Sequence, residues 1–280
     1  MKKQKLSYRI FIIVLLTLFA LAALLPFVYL VIASLVEDMS QVFKNGLALD
    51  IKPEMLGISN YKMLITEQHG VFFRWFMNSV VITLLFTVLS LATSSLVGYG
   101  VSIYRFKGRK IYIIMIMSTM MIPIEILMLP LYREMLSFHL LNTYMGVVLP
   151  FAVSSFAIYF FMQYATALPR ELVDAARVDG CGEFKIFVQI MGPLMLPAFG
   201  SMGILQAMTA WNDFLWPLIV MSTNQNFTLT VGLQTYLSPY GNNYNMLFAG
   251  AVISVIPLMV IFLCNQKAFI SGIMAGSVKG

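Results

Sequence analysis

The sequence predicts an all-α membrane protein with six transmembrane helices. Of its 280 residues, 60% are hydrophobic and only 11% are charged, against roughly 25% charged in a soluble globular chain. Six runs with at most one charged residue each are long enough to supply the about 20 apolar residues that cross a bilayer. These runs are apolar on every face, whereas the strands of a membrane β-barrel would alternate in polarity over about ten residues.

The predicted spans lie at about 10–36, 76–104, 111–132, 143–167, 193–221 and 246–266. Only the third and the fifth contain an acid, Glu125 and Asp213 respectively. The first run could be mistaken for a signal peptide with a cleavage site at residues 20–22. It is much longer than the apolar core of a signal peptide, which has about 7–15 residues. We therefore predict that it is a retained span and that residues 1–280 form one transmembrane domain.

The lysines and arginines are unevenly distributed among the links that join the spans. Thirteen of the 18 lie in the N-terminal tail, in the links after spans two and four, and after span six. Cytoplasmic loops carry such an excess, so both termini are predicted to be cytoplasmic. The net charge of +6 mainly reflects this bias, and we therefore predict no nucleic-acid partner.

The longest cytoplasmic link, about residues 164–192, is predicted to form two short helices joined by a glycine turn. Pro169 suits the first position of the first helix, and Glu171 favours its positive N-terminal end. Gly180 supplies a stop with positive φ. Three residues at i, i+3, i+4 spacing predict the apolar face of this helix: Leu172, Ala175 and Ala176.

The second helix of the link is predicted to begin near Glu183. Four residues predict its apolar face: Phe184, Phe187, Val188 and Met191. Two interpretations fit such a pair of helices at the cytoplasmic surface. One is a docking site for another protein, and the other is an amphipathic segment that rests on lipid headgroups. The residues alone leave both open.

The segment from Asp174 to Gly180, with Pro193 and Pro197 downstream, resembles the EAA loop. That loop is the signature of the permease subunits of binding-protein-dependent ABC importers. This sequence departs from the family pattern at two positions. The usual glutamate is Asp174, which keeps the charge with a shorter reach, and the small residue after the glycine is Cys181.

Two further segments are similar to the carbohydrate-type permeases of that family, the group of the smaller maltose-transporter subunit. They are residues 211–218, Trp-Asn-Asp-Phe-Leu-Trp-Pro-Leu, and the C-terminal residues 269–280. The resemblance implies the type I ABC importer permease fold, in which span one wraps a core of spans two to six in the cell membrane. It also implies that the chain forms half of the pathway for a sugar or oligosaccharide. A permease for glycerol phosphate or another polar solute is the alternative.

The resemblance also implies partners: a second, homologous permease subunit, two cytoplasmic ABC ATPase subunits and an extracytoplasmic solute-binding protein. ATP and Mg would be bound by the ATPases, so we expect neither a cofactor nor an enzymatic activity on this chain. The residues expected to couple to an ATPase are Glu171, Asp174, Ala175, Ala176, Arg177, Asp179 and Gly180. The C-terminal tail, with Gly276, Lys279 and Gly280, is expected to face the ATPases as well.

The two acids inside predicted spans are candidates for the translocation pathway, because an ionisable group in hydrocarbon costs at least about 2.5–3.5 kcal/mol. Glu125 would line the pathway or pair with a neighbouring helix. Asp213 follows Trp211 and Asn212, and aromatic rings beside polar groups suit the apolar face and hydroxyl rim of a sugar. The same residues also suit an aromatic belt at the membrane surface.

Other functional classes lack their signatures in this sequence. It has no phosphate-binding loop, no His-Glu-x-x-His and no Gly-x-Ser-x-Gly. His69 and His139 are isolated, and Cys181 and Cys264 lack metal-ligand spacing, so no metal site is predicted. A self-contained secondary transporter would show inverted repeats and ion-binding groups at the midplane, and the sequence shows no repeat.

Overall fold

A computed structural model describes residues 6–39, 51–66, 70–237 and 242–277, with side chains from residue 8 as far as residue 263. Within these residues the chain is helical, apart from short links, 3-10 turns and an isolated antiparallel bridge between Val36 and Leu56. The helices are α1 (Leu6–Leu35), α2 (Ser59–Thr66), α3 (Val71–Ile103), α4 (Arg109–Thr119), α5 (Ile124–Ser137), α6 (Tyr144–Phe151), α7 (Ser155–Thr166), α8 (Glu171–Val178), α9 (Glu183–Leu194), α10 (Leu196–Asn212), α11 (Leu215–Val220), α12 (Leu229–Gln234) and α13 (Tyr244–Ser277).

Three of the described helices are long and apolar enough to cross a membrane as single rods: Tyr8–Leu35, Val71–Ile103 and Tyr244–Leu263. Three further candidates are pairs of helices joined at a bend: α4 with α5 at 98°, α6 with α7 at 49°, and α9 with α10 at 80°. The count reaches six when each pair is taken as one span. Six spans with cytoplasmic termini therefore stay a prediction for this chain.

Proline residues account for two of these bends. Pro123 has an extended backbone and precedes α5, so the predicted third span is broken into α4 and α5. Pro197 lies in the first turn of α10, next to the break that separates it from α9. A proline has no N–H to donate, and its ring crowds the preceding turn of a helix. A further break, at Asp213 and Phe214, divides the predicted fifth span into α10 and α11.

The chain divides into two compact units, and the first lies within Met1–Phe73 and Gly232–Ile256. Asn60 donates to the carbonyl oxygens of Ser34 (2.9 Å) and Val36 (2.7 Å), and Asn245 donates to the side-chain oxygen of Asn60 (3.1 Å). These bonds satisfy carbonyl groups that the end of a helix leaves without partners. They tie the end of α1 to α2 and α13. The core of this unit consists of Ala33, Val36 and Met39 with Tyr29, Ile51, Met55, Tyr244 and Phe248.

The second unit lies within Arg74–Val231 and Pro257–Gly280, and it contains both candidate sites described below. Its helices α3 and α7 approach very closely at Gly98. A Cβ atom there would lie 2.7 Å from the carbonyl oxygen of Ile158 and 2.8 Å from the amide nitrogen of Met162. Only glycine permits this contact, which is the small-residue packing typical of membrane helices. The close contact therefore fixes α3 against α7.

Candidate functional site

The first helix of the predicted link is anchored at its N-terminus by an arginine. Arg170 donates from Nη2 to the carbonyl oxygen of Ser102 at 3.1 Å, near the C-terminus of α3, where helical carbonyl groups lack partners. Helix α8 begins at Glu171. The prediction that Pro169 occupies its first position is therefore wrong, since the chain enters the helix two residues later.

Helix α8 buries a different face from the one predicted. Val173 and Ala176, three residues apart, are buried in a cluster that includes Tyr99 and Ile103 of α3. Leu172 and Ala175, which were predicted to join Ala176 on the apolar face, are exposed. The bond of Arg170 to α3 fixes the rotation of this two-turn helix, so that Val173 points inward.

The turn after α8 has the predicted conformation. Gly180 has φ +77°, its N–H donates to the carbonyl of Arg177 (3.0 Å), and the N–H of Cys181 donates to the carbonyl of Ala176 (3.0 Å). This is a Schellman motif, in which a glycine with positive φ closes a helix. No atom lies within 4 Å of where a Cβ of residue 180 would be. Within this chain a side chain there is therefore disfavoured by backbone conformation rather than by a clash.

Helix α9 contains one wide π turn, Phe187–Met191. The turn places one additional residue between Ile186 and Met191, which are both buried. The predicted face assumed a regular helix, and two of its members are exposed, Phe184 (71%) and Val188 (50%). The prediction holds for Met191 and for Phe187, which packs partly buried against the same cluster.

A network of four polar side chains joins α8, α9 and the end of α3: Tyr104, Asp174, Arg177 and Glu183. Arg177 donates two hydrogen bonds to Glu183, from Nε to Oε1 at 2.7 Å and from Nη2 to Oε2 at 3.2 Å. Its Nη1 reaches Asp174 at 3.2 Å. The hydroxyl of Tyr104 donates to Oε2 of Glu183 at 2.6 Å, and the guanidinium of Arg177 lies 5.9 Å from the centroid of the Tyr104 ring.

This polar network fixes the angle between α8 and α9, because Arg177 and Glu183 lie on opposite sides of the Gly180 turn. The hydrogen bonds from Arg177, and then from Tyr104, lower the pKa of Glu183, so this carboxylate stays ionised at neutral pH. Both partners of the ion pair are more than one-third exposed, which limits such a pair to about 1 kcal/mol. The two-pronged geometry therefore contributes orientation more than stability.

The residues predicted to couple to an ATPase separate into two groups. Ala176 is buried, while the other six are exposed: Glu171, Asp174, Ala175, Arg177, Asp179 and Gly180. Two of these six, Asp174 and Arg177, are engaged in the polar network. Apolar side chains lie among these acids, with Val178 88% exposed. In the predicted tail, Gly276 lies in the last turn of α13, and Lys279 and Gly280 lie outside the described residues.

A cavity of about 550 Å³ in the second unit is the other candidate site; we call it the aromatic cavity. Its volume is within the range of pockets that hold small ligands. Four aromatic rings line it, those of Phe86, Phe151, Phe214 and Trp216. The polar side chains of its wall come mainly from α10 and the break that follows: Ser154, Gln206, Thr209, Asn212 and Asp213.

Asp213 holds the break between α10 and α11. Backbone N–H groups of Phe214 and Trp216 bond to its carboxylate, and its carbonyl oxygen accepts the hydroxyl of Thr230 at 2.8 Å. Asn212 donates to the carbonyl of Met208 at 2.8 Å. Asp213 thus has a structural role, and it also contributes the carboxylate of the cavity wall. Among the residues that the structure describes, that wall contains no arginine, lysine or histidine.

Two of the four predicted pathway residues, Asn212 and Asp213, line the aromatic cavity, and two do not. Trp211 is buried and packs edge-to-face on Phe76, with ring centroids 5.7 Å apart. Glu125 is exposed in the first turn of α5. The sequence interpretation missed Gln206 and Thr209, although polar residues at 206, 209 and 213 recur at helical spacing along an apolar span.

Comparison with known proteins finds that residues 90–274 match the model of a family described as "Binding-protein-dependent transport system inner membrane component". The chain is 48% identical over 273 residues to the arabinooligosaccharides transport system permease protein AraQ of Bacillus subtilis (strain 168), covering 98% of this chain and 96% of that protein. It is 35% identical over 268 residues to the lactose transport system permease protein LacG of Rhizobium radiobacter, covering 94% of each.

A solved structure also resembles the fold of this chain. It is the crystal structure of a bacterial ABC transporter involved in the import of the acidic polysaccharide alginate. The TM-score is 0.82 at 24% identity, and the match covers 96% of this chain and 100% of that one. This likeness confirms the predicted helical fold of the type I ABC importer permease class, while the number of spans and the side of the termini stay predictions.

Proposed function

This chain belongs to the family of binding-protein-dependent transport system inner membrane components, and from this premise we propose that it forms half of the pathway by which a sugar or oligosaccharide crosses the membrane. Membership makes it a multi-pass permease subunit of the cell membrane, without enzymatic activity of its own. An ATPase and a solute-binding protein are its partners in such an importer.

The composition of the aromatic cavity is the main observation that favours a sugar as the transported substrate. A sugar presents an apolar ring face and a rim of hydroxyl groups, which fit the aromatic rings and the amide, hydroxyl and carboxylate groups of this wall. The relatives named for arabinooligosaccharides and lactose support the same class of substrate. We place the substrate against Thr209, Asn212 and Asp213.

Glycerol phosphate is a poorer fit to this cavity. Its phosphate group carries close to two negative charges at neutral pH and needs cationic or N–H donors. Within the described part of the chain, the wall offers the carboxylate of Asp213 and no cationic side chain. Like charges in a weakly hydrated site repel, so a phosphate ester is disfavoured where a neutral polyol is not.

We propose further that the helix pair α8–α9 contacts the cytoplasmic ATPase. The exposed Val178 and Phe184 lie among acidic side chains, and an apolar patch rimmed by polar groups is typical of a surface that binds another protein. Two ATPase subunits would bind ATP and Mg, and a second, homologous permease subunit would complete the pathway.

Movement of the helix pair would reach the spans through α3. The polar network holds α8 and α9 as one body, and Tyr104 and Arg170 connect this body to the end of α3. When ATP draws the ATPase subunits together, the helix pair would move with them. Helix α3 would follow, because the links between them are short hydrogen bonds rather than a flexible chain.

Uptake by the reconstituted importer, together with its own solute-binding protein, tests the substrate class. We expect ATP-dependent accumulation of arabinose oligosaccharides or lactose in proteoliposomes, and no accumulation of glycerol 3-phosphate. Accumulation of glycerol 3-phosphate alone would contradict the proposed sugar pathway.

Substitution of the exposed valine tests the docking surface. Val178→Ser removes an apolar side chain that contacts little in this chain, so abundance should be unchanged while recovery of the ATPase with the complex falls. Ile58→Ser is the matched control, because Ile58 is also well exposed and lies in the link between α1 and α2. Equal recovery with both variants would favour the alternative that the helix pair rests on lipid headgroups.

A further inference from the structure

A second cavity, of about 380 Å³, lies between the end of α3 and helix α8; we call it the arginine cavity. It is separate from the aromatic cavity, and the two share no lining residue. The described residues of its wall include three arginines and one acid. The lining residues are Ile103, Tyr104, Arg105, Arg170, Val173, Asp174 and Arg177.

The charges of this wall are not balanced by the side chains around it. Arg177 is paired with Asp174 and Glu183. Arg170 bonds to a backbone carbonyl, that of Ser102, which leaves its charge uncompensated. Arg105 is exposed, and no hydrogen bond or ion pair of its side chain is found among the described residues. Two guanidinium groups therefore line the cavity without a carboxylate partner.

The arginine cavity lies at the level where an apolar helix ends. Helix α3 is long and apolar enough to cross a membrane and ends at Ile103, which itself lines the cavity. The exposed Phe106 and Lys107 follow directly. An apolar helix that gives way to basic residues marks the depth of the lipid headgroups, and basic residues immediately cytoplasmic of a membrane helix attract anionic headgroups.

We propose that the arginine cavity binds a phosphate group through Arg105 and Arg170. A guanidinium presents its N–H groups in a planar fork that matches two phosphate oxygens. The phosphate of an anionic phospholipid and that of a soluble phosphate ester offer the same chemistry, and the position at the end of α3 favours the lipid. A bound phosphate would hold Arg170, the residue directly before α8, and so restrain the helix pair. The binding itself does not depend on which solute is transported.

Binding titrations on the detergent-purified importer test this assignment. The probes are phosphatidylglycerol in mixed micelles, counted by native mass spectrometry, and inorganic phosphate as a competitor. Phosphatidylcholine, which is zwitterionic, serves as the comparison lipid. We expect saturable binding of phosphatidylglycerol that Arg105→Gln weakens by about tenfold, as the loss of a hydrogen-bonded charge does. Arg105→Lys keeps the charge and loses the planar fork of N–H donors, so its affinity for phosphatidylglycerol should lie between those of the unsubstituted protein and Arg105→Gln.

Lys107→Gln is the matched control, because it removes the same charge two residues away and does not line the cavity. Competition by inorganic phosphate would identify a site for soluble phosphates, and its absence a site for the lipid; either result supports the assignment. Equal binding by Arg105→Gln and Lys107→Gln, or no saturable binding to the unsubstituted protein, would overturn it. Normal elution of both variants in size-exclusion chromatography excludes misfolding as the cause.

Discussion

Arg177 and Glu183 meet across the Gly180 turn in a two-pronged ion pair, with Nε 2.7 Å from Oε1 and Nη2 3.2 Å from Oε2. One residue lies in the last turn of α8 and the other in the first turn of α9. The pair therefore fixes two short helices that share only a glycine turn. Tyr104, the residue after α3, donates to the same carboxylate. The two helices are therefore also held in position relative to the end of α3.

Tyr104→Phe is expected to weaken coupling without disturbing insertion. The substitution removes the 2.6 Å bond to Glu183 and keeps the ring beside Arg177. Because the network is partly exposed, the loss should be about 1 kcal/mol, or up to about fivefold in sugar transported per ATP hydrolysed. Uptake and hydrolysis measured together in proteoliposomes check this.

Tyr159→Phe is the control for that substitution. The hydroxyl of Tyr159 also takes part in one side-chain hydrogen bond at an exposed site, with Gln163 at 2.8 Å, but both residues of this bond belong to α7 and not to the helix pair α8–α9. A coupling ratio that falls equally in both variants would show that Tyr104 has no special connection to the helix pair.

The link after the second predicted span and the helix pair are expected on the cytoplasmic side. A membrane-impermeant thiol reagent should label Lys107→Cys and Asp179→Cys only in inside-out vesicles, and Lys52→Cys in intact cells, each in a background of Cys181→Ser and Cys264→Ser. The uneven distribution of lysine and arginine is the reason. Labelling of Asp179→Cys from outside would separate the helix pair from any ATPase and reject the docking surface.

Much of the fold, but less of the packing, could be predicted from the sequence. Apolar runs predict helices because a bilayer contains no water to satisfy a free backbone, and the position of Gly180 predicts its positive φ. The buried face of α9 could not be predicted, because the π turn at Phe187–Met191 shifts the spacing. Tyr104 and Glu183 are 79 residues apart, and no local pattern connects them.

The lining of the aromatic cavity could also be predicted only in part. Trp211 and Asp213 flank Asn212 in the sequence, and both were predicted to face the pathway. The end of α10 at Asn212 directs Trp211 into the protein and Asp213 towards the cavity. Periodicity along one helix could have identified Gln206 and Thr209, whereas the position of the helix break depends on tertiary packing.

Thr209→Val is expected to lower sugar uptake about fivefold, with normal abundance. The hydroxyl lines the aromatic cavity, and its loss removes one hydrogen bond to a substrate hydroxyl, worth about 0.5–1.5 kcal/mol. Thr17→Val is a close control, because each hydroxyl donates to the carbonyl four residues earlier, at 2.9 Å for Thr209 and 2.8 Å for Thr17. Unchanged uptake by Thr209→Val would remove the aromatic cavity from the pathway.

Gly180→Ala is expected to impair coupling, while Gly182→Ala is not. Both glycines have open space where a Cβ would lie, so neither substitution should cause a steric clash within this chain. They differ in backbone conformation: Gly180 has φ +77°, where a side chain costs roughly 1–2 kcal/mol, and Gly182 has φ −68° and ψ 151°, which any residue adopts. The strain at Gly180 would be relieved by opening the Schellman turn. That would move α9 relative to α8 and separate Arg177 from Glu183.

We therefore expect both variants to insert with normal abundance, and only Gly180→Ala to lose recovery of the ATPase or sugar uptake in vesicles. Identical transport by the two variants would mean that the geometry of this turn is not what couples the helix pair to ATP hydrolysis.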